Sequence, residues 1–218
     1  MLSIFSDIKL VGFDLDSTLY QNNPKIDERI SLEIAKKVLE YKPELLNLGN
    51  AKRLCDNLYA EVGSRTQSLR NLSFPNAGEM INECISRADI TDLIKPDDKI
   101  AKLLDKIHEN YKTFLITSAI TNQAIPRLKK LGIEEKVFDY AIFGDSALPN
   151  KKLDGSIFSY FLNMSGYSAQ EHVYIGDNLK TDILPPRSLG MKTIAVGKNL
   201  KEADFSVERI YDIENLLL

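Results

Sequence analysis

Ile8-Lys9-Leu10-Val11-Gly12-Phe13 runs directly into Asp14-Leu15-Asp16-Ser17-Thr18-Leu19-Tyr20. The first six residues read as a buried strand, and two carboxylates one residue apart at its end are costly unless paired or bound to a cation. In an open parallel sheet, the carboxyl ends of strands are where ligands bind. A solvated turn that merely ends the strand is the ordinary alternative for Asp14 and Asp16.

Further apolar runs follow at Thr113-Phe114-Leu115-Ile116, Tyr140-Ala141-Ile142-Phe143, His172-Val173-Tyr174-Ile175 and Lys192-Thr193-Ile194-Ala195-Val196. Between them lie helical patterns: Ile125/Leu128/Leu131 stopping at Gly132, Ile157/Phe158/Phe161/Leu162 stopping before Gly166, and a short one from Thr181 to Leu189 stopping at Gly190. Strand–helix alternation with glycine stops predicts an α/β fold, a Rossmann-like, mostly parallel sheet flanked by helices. Residues 21–96 break the rhythm. Ile30/Ile34/Val38, Leu54/Cys55/Leu58/Tyr59/Val62 and Met80/Ile81/Cys84/Ile85/Ala88 repeat at helical spacing with no strand among them. The expected organisation is an α/β core from residues 1–20 and 97–218, with an all-helical insertion over 21–96.

The chain has 218 residues, a net charge of −3, and hydrophobic and charged fractions of 44% and 27%, the composition of a folded globular protein without a nucleic-acid-binding stripe. Its two histidines, His108 and His172, lie far apart, and no zinc spacing is present. Chemistry must therefore rest on carboxylates, hydroxyls and lysines. Cys55 and Cys84 read as core thiols of a reducing compartment. No apolar run reaches the ~20 residues that span a bilayer. Residues 1–10 contain Asp7 and lack the pattern of a secretion signal, so a cytoplasmic protein without membrane or nucleic-acid partners is expected.

A second apolar strand ends in acid at Val173-Tyr174-Ile175-Gly176-Asp177, with Asp182 five residues on. Asp182 alone could be a helix-dipole residue. If the two strands are neighbours, Asp14 and Asp177 converge on an oxygen-rich point. A few carboxylates with room for water and a phosphate suit magnesium better than zinc or calcium. Leu115-Ile116-Thr117-Ser118 offers hydroxyls and backbone N–H groups to phosphate oxygens, although such residues often only cap a helix. Lys151-Lys152 is the expected cation, surface solvation being its alternative.

Taken in order, Asp14-Leu15-Asp16-Ser17-Thr18, Thr117, Lys151-Lys152 and Gly176-Asp177 through Asp182 resemble the four motifs of the haloacid dehalogenase superfamily of phosphohydrolases. The resemblance implies a helical cap between the first and second motifs, here residues 21–96. It implies that Asp14 attacks phosphorus to form an aspartyl-phosphate, and that Asp16 protonates the leaving oxygen and then activates water. It further implies Mg2+ held by the Asp14 carboxylate, the Asp16 main-chain carbonyl and Asp177, with Asp182 supporting the metal. Thr117, Ser118 and the lysine would bind substrate phosphate, the lysine also restraining Asp14.

Lys152-Leu153-Asp154-Gly155-Ser156-Ile157-Phe158 lacks both prolines of the usual third motif and favours Lys152 over Lys151. Ser118 stands where asparagine is common. Gly144-Asp145 imitates the fourth motif but precedes the lysine. Dehalogenating members lack an acid at the position of Asp16. The expected function is a Mg2+-dependent phosphatase acting on a small phosphorylated metabolite, a nucleotide or sugar phosphate, through an aspartyl-phosphate. The Phe13-to-Tyr20 stretch also looks like the pyrimidine nucleotidase-like branch. The alternatives are a sugar-phosphate mutase and a catalytically inactive protein that binds a phosphometabolite or a partner.

Overall fold

The computed structural model describes residues 5–146 and 149–218. Two compact units are present, one from residues up to Gln21 together with Ile94–Leu218 and the other from Asn22–Leu93. Among the described residues no helix is long and apolar enough to cross a membrane.

The Asn22–Leu93 unit is helical: α1 (Pro24–Tyr41), α2 (Leu48–Val62), α3 (Arg65–Asn71) and α4 (Ala77–Ala88). Side chains of Asn23, Asn47 and Ser64 accept from first-turn N–H groups and fix where the first three begin. The apolar faces meet in one core of Ile34, Ala35, Val38, Ala51, Cys55, Leu69, Met80, Ile81 and Cys84. Burial pushes the thiols of Cys55 and Cys84 up to about 11, so both behave as packing groups. Tyr59, expected on the buried stripe of α2, is instead exposed, with the Arg65 guanidinium 4.4 Å above its ring.

The larger unit carries β1 (Leu10–Phe13), β2 (Lys112–Ile116), β3 (Tyr140–Ile142), β4 (His172–Gly176), β5 (Lys192–Val196) and β6 (Phe205–Val207) in one parallel sheet. Its order is β3-β2-β1-β4-β5-β6. The chain builds outward from β1 in one direction and from β4 in the other, so the strand order reverses between them. All four residues of β1 are buried, as its unbroken apolar run requires of a strand covered on both faces. At Gly12 the Phe114 ring of β2 occupies the space a side chain would need, 2.0 Å from an ideal Cβ.

Successive residues feed two cores. Val11, Phe13, Leu115, Val173 and Ile175 pack with α5 (Asp98–Asn110) and α6 (Thr121–Lys130), whereas Leu10, Phe114, Ile116 and Tyr174 pack with α7 (Ser156–Ser165). His172 is buried between the Ser168 carbonyl and the Ser165 hydroxyl, at 2.8 and 3.1 Å, and burial lowers its pKa. It is a structural residue.

Three local expectations change. The expected Thr181-to-Leu189 helix is present but starts two residues earlier as a wide π-helical turn, Leu179–Ile183, and continues as α8 (Leu184–Ser188), whose Pro185 and Pro186 fall in the first turn. On α6 the expected Leu128 and Leu131 are buried and Ile125 packs against the same core, but the inward face is wider than that stripe, because Gln123, Ala124 and Arg127 are buried as well. Finally, the strand at Phe205–Val207 was not expected.

Candidate active site

Strand pairing delivers the first carboxylate. Phe13 pairs with Leu115 on one side and Ile175 on the other, and the Asp14 N–H donates to the Ile175 carbonyl at 2.9 Å. Asp14 is buried, with Lys152 Nζ 2.7 Å from Oδ1 and the Thr18 hydroxyl 3.4 Å from Oδ2. The same ammonium lies 2.5 Å from Asp182 Oδ1 and 5.2 Å from the Tyr174 ring centroid. Of the lysine pair, Lys152 is buried and Lys151 exposed, so only Lys152 reaches this cluster. Burial pushes the Asp14 carboxyl up to about 8, Lys152 opposing and Asp182 and Asp16 adding to the shift. Burial also disfavours the Lys152 charge, yet Asp14 and Asp182 together hold its pKa well above the usual lysine value.

The second carboxylate hangs from β4, which neighbours β1. Asp177 is half-buried, and burial raises its pKa; Lys198 Nζ contacts its Oδ2 at 3.1 Å and its carbonyl at 3.2 Å. Asp182 folds back over Gly176, and a Cβ at position 176 would lie 2.4 Å from that of Asp182. Glycine is therefore needed to seat the third acid. Asp182 is fixed there by the Asn178 N–H and the Thr181 hydroxyl, both at 3.0 Å. Asp14, Asp177 and Asp182 each present a carboxylate oxygen within 4.8 Å of the others. Three hard oxygen donors around one point could hold a metal ion, and their composition suits a hard divalent cation.

Asp16 stands apart from that cluster. Between it and Thr18, Ser17 takes a left-handed conformation with φ 63°, which turns the chain away from the strand direction. The Asp16 carboxylate is contacted at both oxygens by Arg127 Nη1, 2.8 Å to Oδ1 and 2.9 Å to Oδ2, and the Tyr20 hydroxyl donates to Oδ1 at 2.6 Å. Burial raises the Tyr20 pKa, reinforced by Asp16, so the phenol stays protonated as a donor. Arg127 and Tyr20 were not among the expected site residues. The signal available for Arg127 was its spacing: Gln123 and Arg127 are polar residues four apart, in step with Ala124 and Leu128.

Thr117, one residue past β2, is buried and its Oγ1 accepts from Ala119 N–H at 3.1 Å; Ser118 beside it is exposed. The fourth-motif imitation is a cap. Asp145 Oδ1 accepts from the Thr121 N–H and hydroxyl, at 2.9 and 2.8 Å, at the start of α6.

The haloacid dehalogenase-like hydrolase family model matches residues 11–196, a span that contains all four carboxylates, Thr117 and Lys152. The chain belongs to this family. It is 26% identical over 222 residues to a glyceraldehyde 3-phosphate phosphatase of Methanocaldococcus jannaschii, covering 96% of each. It is 24% identical to a phosphoglycolate phosphatase of Pseudomonas fluorescens, covering 86% of this chain and 69% of that protein. A phosphatase of the same superfamily from Thermococcus onnurineus superposes with a TM-score of 0.70 at 20% identity, covering 96% of this chain and 98% of that one, a likeness of fold. The α/β architecture and the membership read from the motifs both hold.

Proposed function

We propose that this hydrolase is a Mg2+-dependent phosphatase that cleaves a small phosphomonoester through an aspartyl-phosphate on Asp14. The observation that carries the proposal is Lys152 Nζ at 2.7 Å from Asp14 Oδ1, beside an acidic cluster whose carboxylate oxygens lie within 4.8 Å of one another. In this reading Asp14, Asp177 and Asp182 hold the cation with the Asp16 carbonyl, and Asp182 acts as a ligand or by orienting its neighbours. Mg2+ would neutralise charge on the phosphoryl group.

Asp14 attacks phosphorus as the ester P–O bond breaks, and Asp16 gives a proton to the departing oxygen. Asp16 then takes a proton from water as that water displaces Asp14, releasing orthophosphate. Lys152 restrains Asp14 and, with Thr117 and Ser118, contacts phosphate oxygens. The Asn22–Leu93 helices act as the specificity-bearing cap. The two curated relatives are named for phosphate esters of two- and three-carbon acids or aldehydes, so small esters of that class lead the substrate list, with sugar phosphates and pyrimidine nucleotides beside them.

A panel of such phosphomonoesters assayed for released orthophosphate with Mg2+ tests the proposal. Turnover that chelation abolishes, and that falls by at least about a thousandfold in Asp14→Asn with the circular dichroism unchanged, is the expected result. Isomer formation without free phosphate would point instead to a mutase. Analogue binding without turnover would point to a binding protein.

A further inference from the structure

The Asp16 contacts have an asymmetry that the four motifs do not describe. Among the described residues Oδ1 receives two donors, Tyr20 at 2.6 Å and Arg127 at 2.8 Å, while Oδ2 receives Arg127 alone, at 2.9 Å. The cation lies deeper than the carboxylate it holds, with side chains 5% and 39% exposed respectively. Arg127 projects from α6, and its Nη2 faces Gln123 Oε1 one turn earlier at 3.5 Å. Tyr20 comes from the loop that follows β1.

A desolvated arginine is a poor device for stability, because its lost hydration offsets much of the ion-pair attraction. It is a good device for direction, because planar guanidinium geometry and a second donor leave the carboxylate few orientations. From the Arg127 and Tyr20 contacts we infer that these two are positioning residues for the proton-transfer step, anchoring Asp16 by Oδ1 so that Oδ2 faces the ester oxygen. The inference rests on the reading of Asp16 as acid and base. The proton leaves Oδ2 for the leaving oxygen as its bond to phosphorus breaks, and Oδ2 recovers a proton from the attacking water in the second displacement.

The effect to look for is a dependence on the leaving group. A 4-nitrophenolate departs with little need of a proton, whereas phenolate and alkoxides need one. Values of kcat/KM for 4-nitrophenyl phosphate, phenyl phosphate and glycerol phosphate report the step in which that oxygen leaves. Arg127→Leu is expected to lose about tenfold more kcat/KM on phenyl and glycerol phosphates than on 4-nitrophenyl phosphate. Arg127→Lys should recover part of that difference, and Tyr20→Phe should show the same trend more weakly.

Asp16→Asn measured on the same series separates the two claims. A steeper loss with poorer leaving groups in Asp16→Asn, joined to an equal loss on every substrate in the Arg127 and Tyr20 variants, overturns the positioning role alone. An equal loss on every substrate in Asp16→Asn overturns the acid–base reading and the inference with it. Should Arg127→Leu fail to fold by circular dichroism, Tyr20→Phe and Arg127→Lys decide the matter by the same criterion.

Discussion

Asp14 and Asp16 are two residues apart on one loop, yet their surroundings differ. Asp14 is buried beside a lysine that it shares with Asp182, and its carboxyl is pushed up to about 8. Asp16 is partly exposed and faces an arginine and a tyrosine. Lysine is a compact charge that can be shared between two acids, whereas arginine imposes a plane. Positions two residues apart have thereby acquired separate environments, one suited to a nucleophile clustered with metal-ligand candidates and one suited to an oriented proton carrier.

Removing the lysine strikes the first environment hardest. Lys152→Met leaves Asp14 and Asp182 buried without their cation, at an expected cost of about 3 kcal/mol in denaturant melts at pH 8. The deficit should be smaller at pH 6, because protonating Asp14 relieves the uncompensated charge. Equal deficits at both pH values would show that Asp14 and Lys152 are not electrostatically linked.

Gly176→Ala attacks the same environment through packing. The added carbon meets the Asp182 side chain at 2.4 Å, so Asp182 must move. Mg2+ affinity, read by calorimetry, should weaken by about ten- to a hundredfold, with about 2 kcal/mol lost in stability.

The raised pKa of Asp14 makes a milder prediction for the unmodified protein. Below about pH 8 this carboxyl keeps its proton in the metal-free protein, and a cation must displace it. Mg2+ affinity should therefore fall by up to about tenfold per pH unit below that value and level off above it. Calorimetry at pH 7 in two buffers of different ionisation enthalpy should register close to one proton released per metal.

The smallest effect is expected at the turn that separates the two acids. Ser17 at φ 63° holds a conformation that glycine adopts freely, while glycine also loosens the unfolded chain. Ser17→Gly should leave the midpoint of thermal unfolding within about 4 °C of the parent. A larger fall would mean that the serine side chain, and not the backbone conformation, maintains the turn.

Much of this is legible in the sequence. Apolar runs that end in aspartate at Asp14 and Asp177 mark strands buried on both faces, and parallel pairing of β1 with β4 then brings the acids together. The choice of Lys152 over Lys151 followed from the resemblance, in the register of the third motif, whose Ile157 and Phe158 are buried against the sheet. The edge strand at Phe205–Val207 was not legible, since three residues with one buried carry no periodicity. Arg127 was hidden for a different reason. Lys129 and Lys130 beside it suggest a solvated stretch, and only the burial of Gln123 and Arg127 together with Ala124 and Leu128 shows that the arginine faces inward.

The pairing of β1 with β4 also governs how this chemistry can fail. Strands locked at Phe13↔Ile175 bring Asp14 level with Gly176 and leave Asp177 one residue further on, so the separation of the two acids is set by the backbone register of β1 against β4. Backbone pairing changes in whole-residue steps, and a slip of one residue turns side chains to the opposite face. Gradual drift in surface helices therefore has little purchase on the distance between these two acids. Their spacing is a digital property of the fold, kept or lost outright, while the orientation of Asp16, set by side chains alone, is free to be tuned.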